Sequence, residues 1–394
     1  MNNKDLFERE KNSFLHTYKR TPIEIKKGEG VYLIDKNNNR YLDFMSGLGV
    51  NALGHTHPKV IEAVTNQINK FSHISNYFIT DVQTAFAKKL LEFSDMDKLF
   101  LANSGTEAIE GTIKLIRMKF GPGKKIFSLT NSFHGRTYGS LSLTAREKHR
   151  KGFEPLLPNI GQINFDDIND LESKIDENTA AVFLEFLQGE GGVQPVSKEF
   201  VSRLFSLKEK FNFLVVADEI QSGVGRTGKN FAFQHYNVEP DIVVVAKAIG
   251  GGLPLGSFMV KDNLKDVLEF GKHGTTFGGN PVACAAGIAV FDFINENKIV
   301  QKVEKLGNYF FDELNKFRLK YPEFISKIRG KGFMIGIEMK MCEDKIVEQF
   351  RDKKILVNLT AENVIRLLPP LITEQKHLDI FLNQFDKILT NLTK

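Results

Sequence analysis

The chain carries a series of short apolar runs that are continuous rather than alternating. They are residues 98–101 (KLFL), 125–129 (KIFSL), 180–184 (AAVFL), 213–217 (FLVVA), 242–246 (IVVVA) and 255–260 (LGSFMV). Alternation with a period of two marks a strand with one wet face, so runs such as FLVVA and IVVVA predict strands covered on both faces. Segments with helical spacing lie among them. Val60, Ile61, Val64, Ile68 and Phe71 fall on one face, a second helix fits residues 80–93, and Ile109, Ile113, Ile116 and Phe120 mark a third. Strands alternating with helices imply an α/β architecture, with a mostly parallel sheet flanked by helices.

The two chain ends have a different texture. Residues 31–43 read as two short strands around a polar turn, Lys36-Asn37-Asn38-Asn39. Residues 299–320 and 376–392 read as amphipathic helices with a Gly-rich strand region, 329–338, between them. The expected division is a large domain over 55–285 and a smaller α+β domain built from 1–54 and 286–394. A length of 394 residues suits two or three domains and a core that needs no disulfide or metal staple.

Charge and cysteine content narrow the function classes. The 53 Lys+Arg exceed the 48 Asp+Glu by only 5, too thin a surplus to suggest nucleic-acid or membrane binding. Cys284 and Cys342 are the two cysteines, too few for a structural zinc site or a secreted disulfide scaffold. A reducing, cytoplasmic setting is expected. The N-terminal residues mix charges and lack the apolar stretch of a signal peptide. The most membrane-like window, 242–260, is broken by Lys247, its glycines and Pro254, and reads as strand, loop and strand.

Chemistry-bearing residues gather where these runs end, which in α/β sheets is where ligands bind. Lys247 follows the run 242–246 and precedes three glycines. It is either a lysine reaching for water or a desolvated amine able to attack an aldehyde. Asp218 ends the run 213–217, 29 residues earlier, about one crossover unit. It could hold a metal, act as a base, pair with a protonated ring nitrogen or cap a helix. Ser104-Gly105-Thr106, between a strand and a helix, is a phosphate cradle or an ordinary cap. Phe133 beside Arg136 could stack a ring and hold a carboxylate, and Gly189-Glu190-Gly191-Gly192 is a turn or a site loop. Gly223 to Lys229 imitates a nucleotide loop, but Asn230 replaces the hydroxyl that would hold Mg²⁺ and no long apolar helix follows. His55 and His57 show no acidic or cysteine partner nearby, which argues against a metal. An amine, an anion, N–H donors and an aromatic face are together what pyridoxal phosphate requires.

Over essentially its whole length the chain resembles the class III (fold-type I) pyridoxal phosphate-dependent aminotransferases. The blocks that carry this are LANSGTEAIEGTIKLIR, NSFHGRT, EFLQGEGG, VVADEIQSGVGRTG, DIVVVAKAIGGGLPLG, HGTTFGGNPVACAAG and VIRLLPPL, in the family order. SGLGVNALGHTHP and LVNLTAENVIRLLPPL resemble most the branch acting on N²-acetylornithine. The resemblance implies that Lys247 bonds the cofactor aldehyde, Asp218 partners its ring nitrogen and Gln221 lies near its ring hydroxyl. Gly105 and Thr106 match the phosphate loop, and Phe133 the stacking aromatic. Thr276 matches a threonine that reaches the phosphate from a second subunit, with Thr275 near substrate, implying a homodimer. Arg136 matches the binder of the distal carboxylate, Arg366 that of the α-carboxylate of glutamate, and Glu190 its gate. No metal is implied. Members that use free ornithine carry a tyrosine where Leu48 stands, and a buried Leu48 would suit an acylated nitrogen better than an ammonium. Phe186 stands where the family usually has proline. The implied reaction is transamination with 2-oxoglutarate. N-succinyl-diaminopimelate, succinylornithine and 4-aminobutyrate are alternative amine donors.

Overall fold

The computed structural model describes residues 3–340 and 345–393, so Cys342 lies outside the described residues. A seven-stranded sheet forms from Lys98–Ala102 (β1), Lys125–Leu129 (β2), Ile160–Ile163 (β3), Thr179–Leu184 (β4), Leu214–Asp218 (β5), Ile242–Val245 (β6) and Gly256–Val260 (β7). Its order is β1-β7-β6-β5-β4-β2-β3. Only β7 runs against its neighbours. The segment between β6 and β7 is too short for a helical crossover, so β7 must return antiparallel.

The continuous apolar runs behave as expected of doubly covered strands. Phe183, Val216 and Val244 pack on one face with Ile109, Ile113 and Ile116 of the helix Gly105–Phe120. Their chain neighbours Val182, Val215 and Val243 pack on the other face with Phe200 and Leu204 of the helix Lys198–Phe211. Each such buried side chain contributes roughly 1.5–3 kcal/mol, so alternating polar residues would be costly here.

The chain ends meet in one small sheet. Strands Ile25–Glu29, Tyr32–Asp35 and Arg40–Asp43 pair in antiparallel fashion, and Arg40–Asp43 then pairs in parallel with Ile355–Leu356. The asparagine-rich turn is built by Asp35, whose Oδ1 accepts from the N–H groups of Asn37 (2.9 Å) and Asn39 (2.8 Å). Asn38 takes the left-handed conformation there, at φ 64°, which asparagine tolerates. A second four-stranded sheet joins Ile325–Lys331, Met334–Met339, Val364–Leu367 and Asn358–Thr360. Helices Ile299–Lys320 and Gln375–Leu392 pack beside these sheets through Phe310, Phe381 and Phe385. Helix Pro281–Glu296, capped by Asn280, crosses the boundary expected at 285 and packs on Pro58–Ile68 and Asp81–Ser94. Among the described residues, no helix is long and apolar enough to cross a membrane.

Candidate active site

A cavity of about 450 Å³ opens at the ends of β4, β5 and β6, against the start of helix Gly105–Phe120. Parallel pairing sets Asp218, the last residue of β5, opposite Val244 of β6. Lys247 follows three residues later, so one rim presents both groups. Lys247 itself has φ 51°, a left-handed conformation that is uncommon for a residue with a long side chain. Burial, then the nearby Arg366 guanidinium, pushes its ammonium down to about 8, against the pull of Asp218, Glu190 and Glu185. A usable fraction of neutral amine is therefore present near pH 7.

Asp218 is 4% exposed. Its Oδ1 accepts from the Ile220 N–H (3.1 Å), and its Oδ2 lies 2.7 Å from His134 Nδ1. Burial alone would strip the proton from His134, but the Asp218 carboxylate prevails and holds its pKa above the ordinary value. Among the described residues, His134 Nε2 has no hydrogen-bond partner.

Ser104 caps the helix Gly105–Phe120, its Oγ accepting from the Glu107 N–H at 3.3 Å. The capping reading of this motif thus holds, and Gly105 and Thr106 nonetheless line the cavity at a helix start whose first N–H groups lack intrahelical partners. A Cβ on Gly105 would meet Ile220 Cδ1 at 2.6 Å, so a larger residue here would have to push the Ile220 side chain aside. Thr106 Oγ1 is bonded to Thr137 Oγ1 (2.8 Å) and Ser140 Oγ (2.6 Å).

Phe133 also lines the cavity, with the Arg136 guanidinium 5.5 Å from its ring centroid and the His149 ring edge-on at 5.8 Å. Arg366, 1% exposed, donates through Nη1 to Glu190 Oε1 (2.6 Å) and Gln221 Oε1 (3.1 Å), and through Nε to Asn358 Oδ1 (3.4 Å). Burial opposes the charge of Glu190, but Arg366 outweighs it and keeps the carboxyl below its usual range.

Lys247, Asp218, Gln221, Gly105, Thr106, Phe133, Arg136 and Glu190 line one cavity, and Arg366 reaches its wall through Glu190 and Gln221. Thr275 and Thr276 line a separate groove with Phe100 and Tyr77. Thr275 is tied back to this site through its hydroxyl, which accepts from Asn103 Nδ2 at 3.0 Å.

Two sequence expectations need correction. Leu48 is 38% exposed in the single chain, not buried, because Gly47 and Leu48 both take left-handed conformations that turn the side chain outward. Val50 is the residue of this segment that lines the cavity. His55 does have an acidic partner, Asp43 Oδ2 at 2.8 Å. Phe186 is fully buried against Phe233 and Tyr236. Residues 223–229 form tight turns rather than the start of a helix, and Lys229 faces Glu304 at 3.8 Å.

Sequence reasoning missed His134 and Glu185. Glu185 accepts from the N–H groups of Phe133 (3.0 Å) and Gly189 (3.1 Å), bracketing Phe133 and the loop that carries Glu190. Burial pushes its carboxyl up to about 7, with the His134 charge opposing. Glu185 directly follows a strand end, and His134 sits between two residues already singled out; both signals were available.

The buried amine, the carboxylate at the same rim, the aromatic face and the open helix start fit pyridoxal phosphate in donor chemistry. The family model for aminotransferase class-III matches residues 14–389. The acetylornithine aminotransferase of Methanocaldococcus jannaschii is 41% identical, covering 100% of both chains. That of Aquifex aeolicus is 42% identical over 95% of this chain and 99% of its own. Among solved structures, the ornithine aminotransferase of Toxoplasma gondii superposes with TM-score 0.95 at 30% identity, over 100% of this chain and 96% of its own. The acetylornithine aminotransferase of Elizabethkingia anophelis gives TM-score 0.88 at 31% identity, over 99% and 100%. The chain belongs to the class-III aminotransferases, enzymes whose cofactor is pyridoxal phosphate.

Proposed function

We propose that the chain moves the terminal amino group of N²-acetylornithine to 2-oxoglutarate, giving N-acetylglutamate 5-semialdehyde and glutamate, a step of arginine biosynthesis in the cytoplasm. The full-length relatives above, named for acetylornithine, support this substrate over ornithine. Bound pyridoxal phosphate supplies an electron sink for the carbon that carries the amino group. Lys247 is the residue that bonds the cofactor and moves the proton at that carbon, and its lowered pKa suits both tasks. Asp218 keeps the ring nitrogen protonated, with His134 holding Asp218 in place. Gly105, Thr106 and, from a second subunit, Thr276 hold the phosphate. Phe133 stacks on the ring and Gln221 meets its hydroxyl.

The observation that carries the substrate reading is the Glu190–Arg366 pair. Glutamate brings two carboxylates and acetylornithine one, so Arg136 serves both substrates and Arg366 serves only the dicarboxylic half. An unpaired buried guanidinium is costly, and Glu190 covers it whenever acetylornithine is bound. Thr275 lies beside the substrate across a homodimer interface. The exposed Tyr77 and Phe270, flanking the groove with Thr276, suit such an interface. The two chain ends together form the small domain, a reading supported by the pairing of Arg40–Asp43 with Ile355–Leu356, and its second segment starts after helix Pro281–Glu296, which packs on the large domain, rather than at 286.

The test is glutamate formation from 2-oxoglutarate with a panel of amines: N²-acetylornithine, succinylornithine, N-succinyl-diaminopimelate, 4-aminobutyrate and ornithine. Acetylornithine should give the highest kcat/KM. A higher value for any other amine reassigns the substrate.

A further inference from the structure

We propose that Arg146 is the second seat of the Glu190 carboxylate, the cation that receives it when a dicarboxylate substrate takes Arg366. The proposal rests on the gate reading above and adds the residue that reading lacks. A carboxylate that leaves a buried guanidinium must find another partner or water, and the choice sets how readily the gate opens. Arg146 is already attached to the gate residue: its Nη1 donates to the backbone carbonyl of Glu190 at 2.9 Å. Thr360 Oγ1 donates to the same carbonyl at 2.7 Å. Two donors thus hold the Glu190 backbone from separate elements, and Thr360 Oγ1 also lies 3.4 Å from Glu190 Oε2, so turning the carboxylate away gives up that weak contact as well as the ion pair.

Because Arg146 is bonded to the backbone of Glu190 itself, side-chain rotation of Glu190 is the motion by which this proposal brings its carboxylate to that guanidinium. Arg146 makes no ion pair with any carboxylate among the described residues, so it is available as a partner. Its charge already acts on Glu190, weakly beside that of Arg366. Lys247, the other cation felt by Glu190, is committed to the cofactor in this reading. The Glu190 side chain is 27% exposed, which leaves room to turn. The guanidinium fork suits a carboxylate arriving beside an existing bond, since one nitrogen can keep the carbonyl while another takes the carboxylate.

The test is equilibrium binding by calorimetry to the holoenzyme with two unreactive ligands. Glutarate has two carboxylates and needs Arg366 free; N-acetylnorvaline has one and leaves the gate closed. Arg146→Gln should weaken glutarate by about tenfold, the equivalent of one charge-assisted contact, and leave N-acetylnorvaline unchanged. Arg146→Lys should fall between. In a Glu190→Ala background glutarate should bind more tightly than to wild type, and Arg146→Gln should then have no further effect. Weakening of glutarate by Arg146→Gln with and without Glu190 overturns the proposal, because a mere support of the loop behaves that way. So does an unchanged glutarate affinity, which means that the carboxylate goes to water. Loss of both ligands in Arg146→Gln and Arg146→Lys also overturns it. Glutarate affinity unaltered by Glu190→Ala alone removes the gate itself, a separate failure.

Discussion

Glu190→Gln changes one charge and almost no volume, and its cost can be worked out from the geometry. Removing one partner of a buried ion pair typically costs about 3–5 kcal/mol. Arg366 is 1% exposed but the Glu190 side chain is 27% exposed, so solvent softens the loss. The glutamine oxygen can still accept from Arg366, and Gln221 and Asn358 keep their contacts. About 2 kcal/mol remains as the expected destabilisation. Unfolding entropy near 2.1 cal/mol/K per residue over 394 residues gives roughly 0.8 kcal/mol/K, and hence a fall in Tm of about 2–3 °C. Scanning calorimetry of the two proteins at equal concentration measures it. Saturating glutarate should raise the Tm of the variant more than that of wild type, since its second carboxylate fills a site that Glu190 already occupies in wild type. Equal Tm values without ligand and equal shifts with it would refute the claim that Glu190 neutralises Arg366.

Three further outcomes follow from the same geometry. Asp218→Asn should fold and retain cofactor, lose at least about 100-fold in kcat, and let burial pull the His134 pKa down, read from its imidazole NMR signals; near-normal turnover makes Asp218 structural. In the cofactor-free protein, Lys247 has its folded pKa lowered to about 8 from 10.5. Between those values the unfolded chain binds the extra proton, so stability climbs with pH, and Lys247→Met should flatten that climb relative to wild type; parallel profiles contradict a desolvated Lys247. Thr276→Ala should weaken cofactor retention, and wild type diluted to monomers should lose cofactor, as followed by its absorbance; monomers that hold it tightly remove the shared phosphate site.

The sequence was most informative where one physical rule governs a whole segment. Double burial of β4, β5 and β6 requires unbroken apolar runs, so these strands and the ligand-bearing rim at their ends were readable. The partnership of His134 with Asp218 was not, because 84 residues separate them and no spacing rule joins a loop histidine to a particular strand end. Leu48 was misjudged because its direction depends on two consecutive left-handed residues, a local choice that apolarity does not reveal. The pairing of Arg40–Asp43 with Ile355–Leu356 involves strands too short to carry a pattern.

The central claim is that two arginines divide the work, one serving both substrates and one serving only the dicarboxylic half. Single-turnover rates of the acetylornithine half-reaction and the glutamate half-reaction, measured separately in Arg366→Ala and Arg136→Ala, test it most directly. Arg366→Ala should slow the glutamate half by at least about 100-fold while changing the acetylornithine half by less than about fivefold, and Arg136→Ala should slow both. Equal losses in the two halves for Arg366→Ala would contradict the account and leave Glu190 an ordinary loop residue.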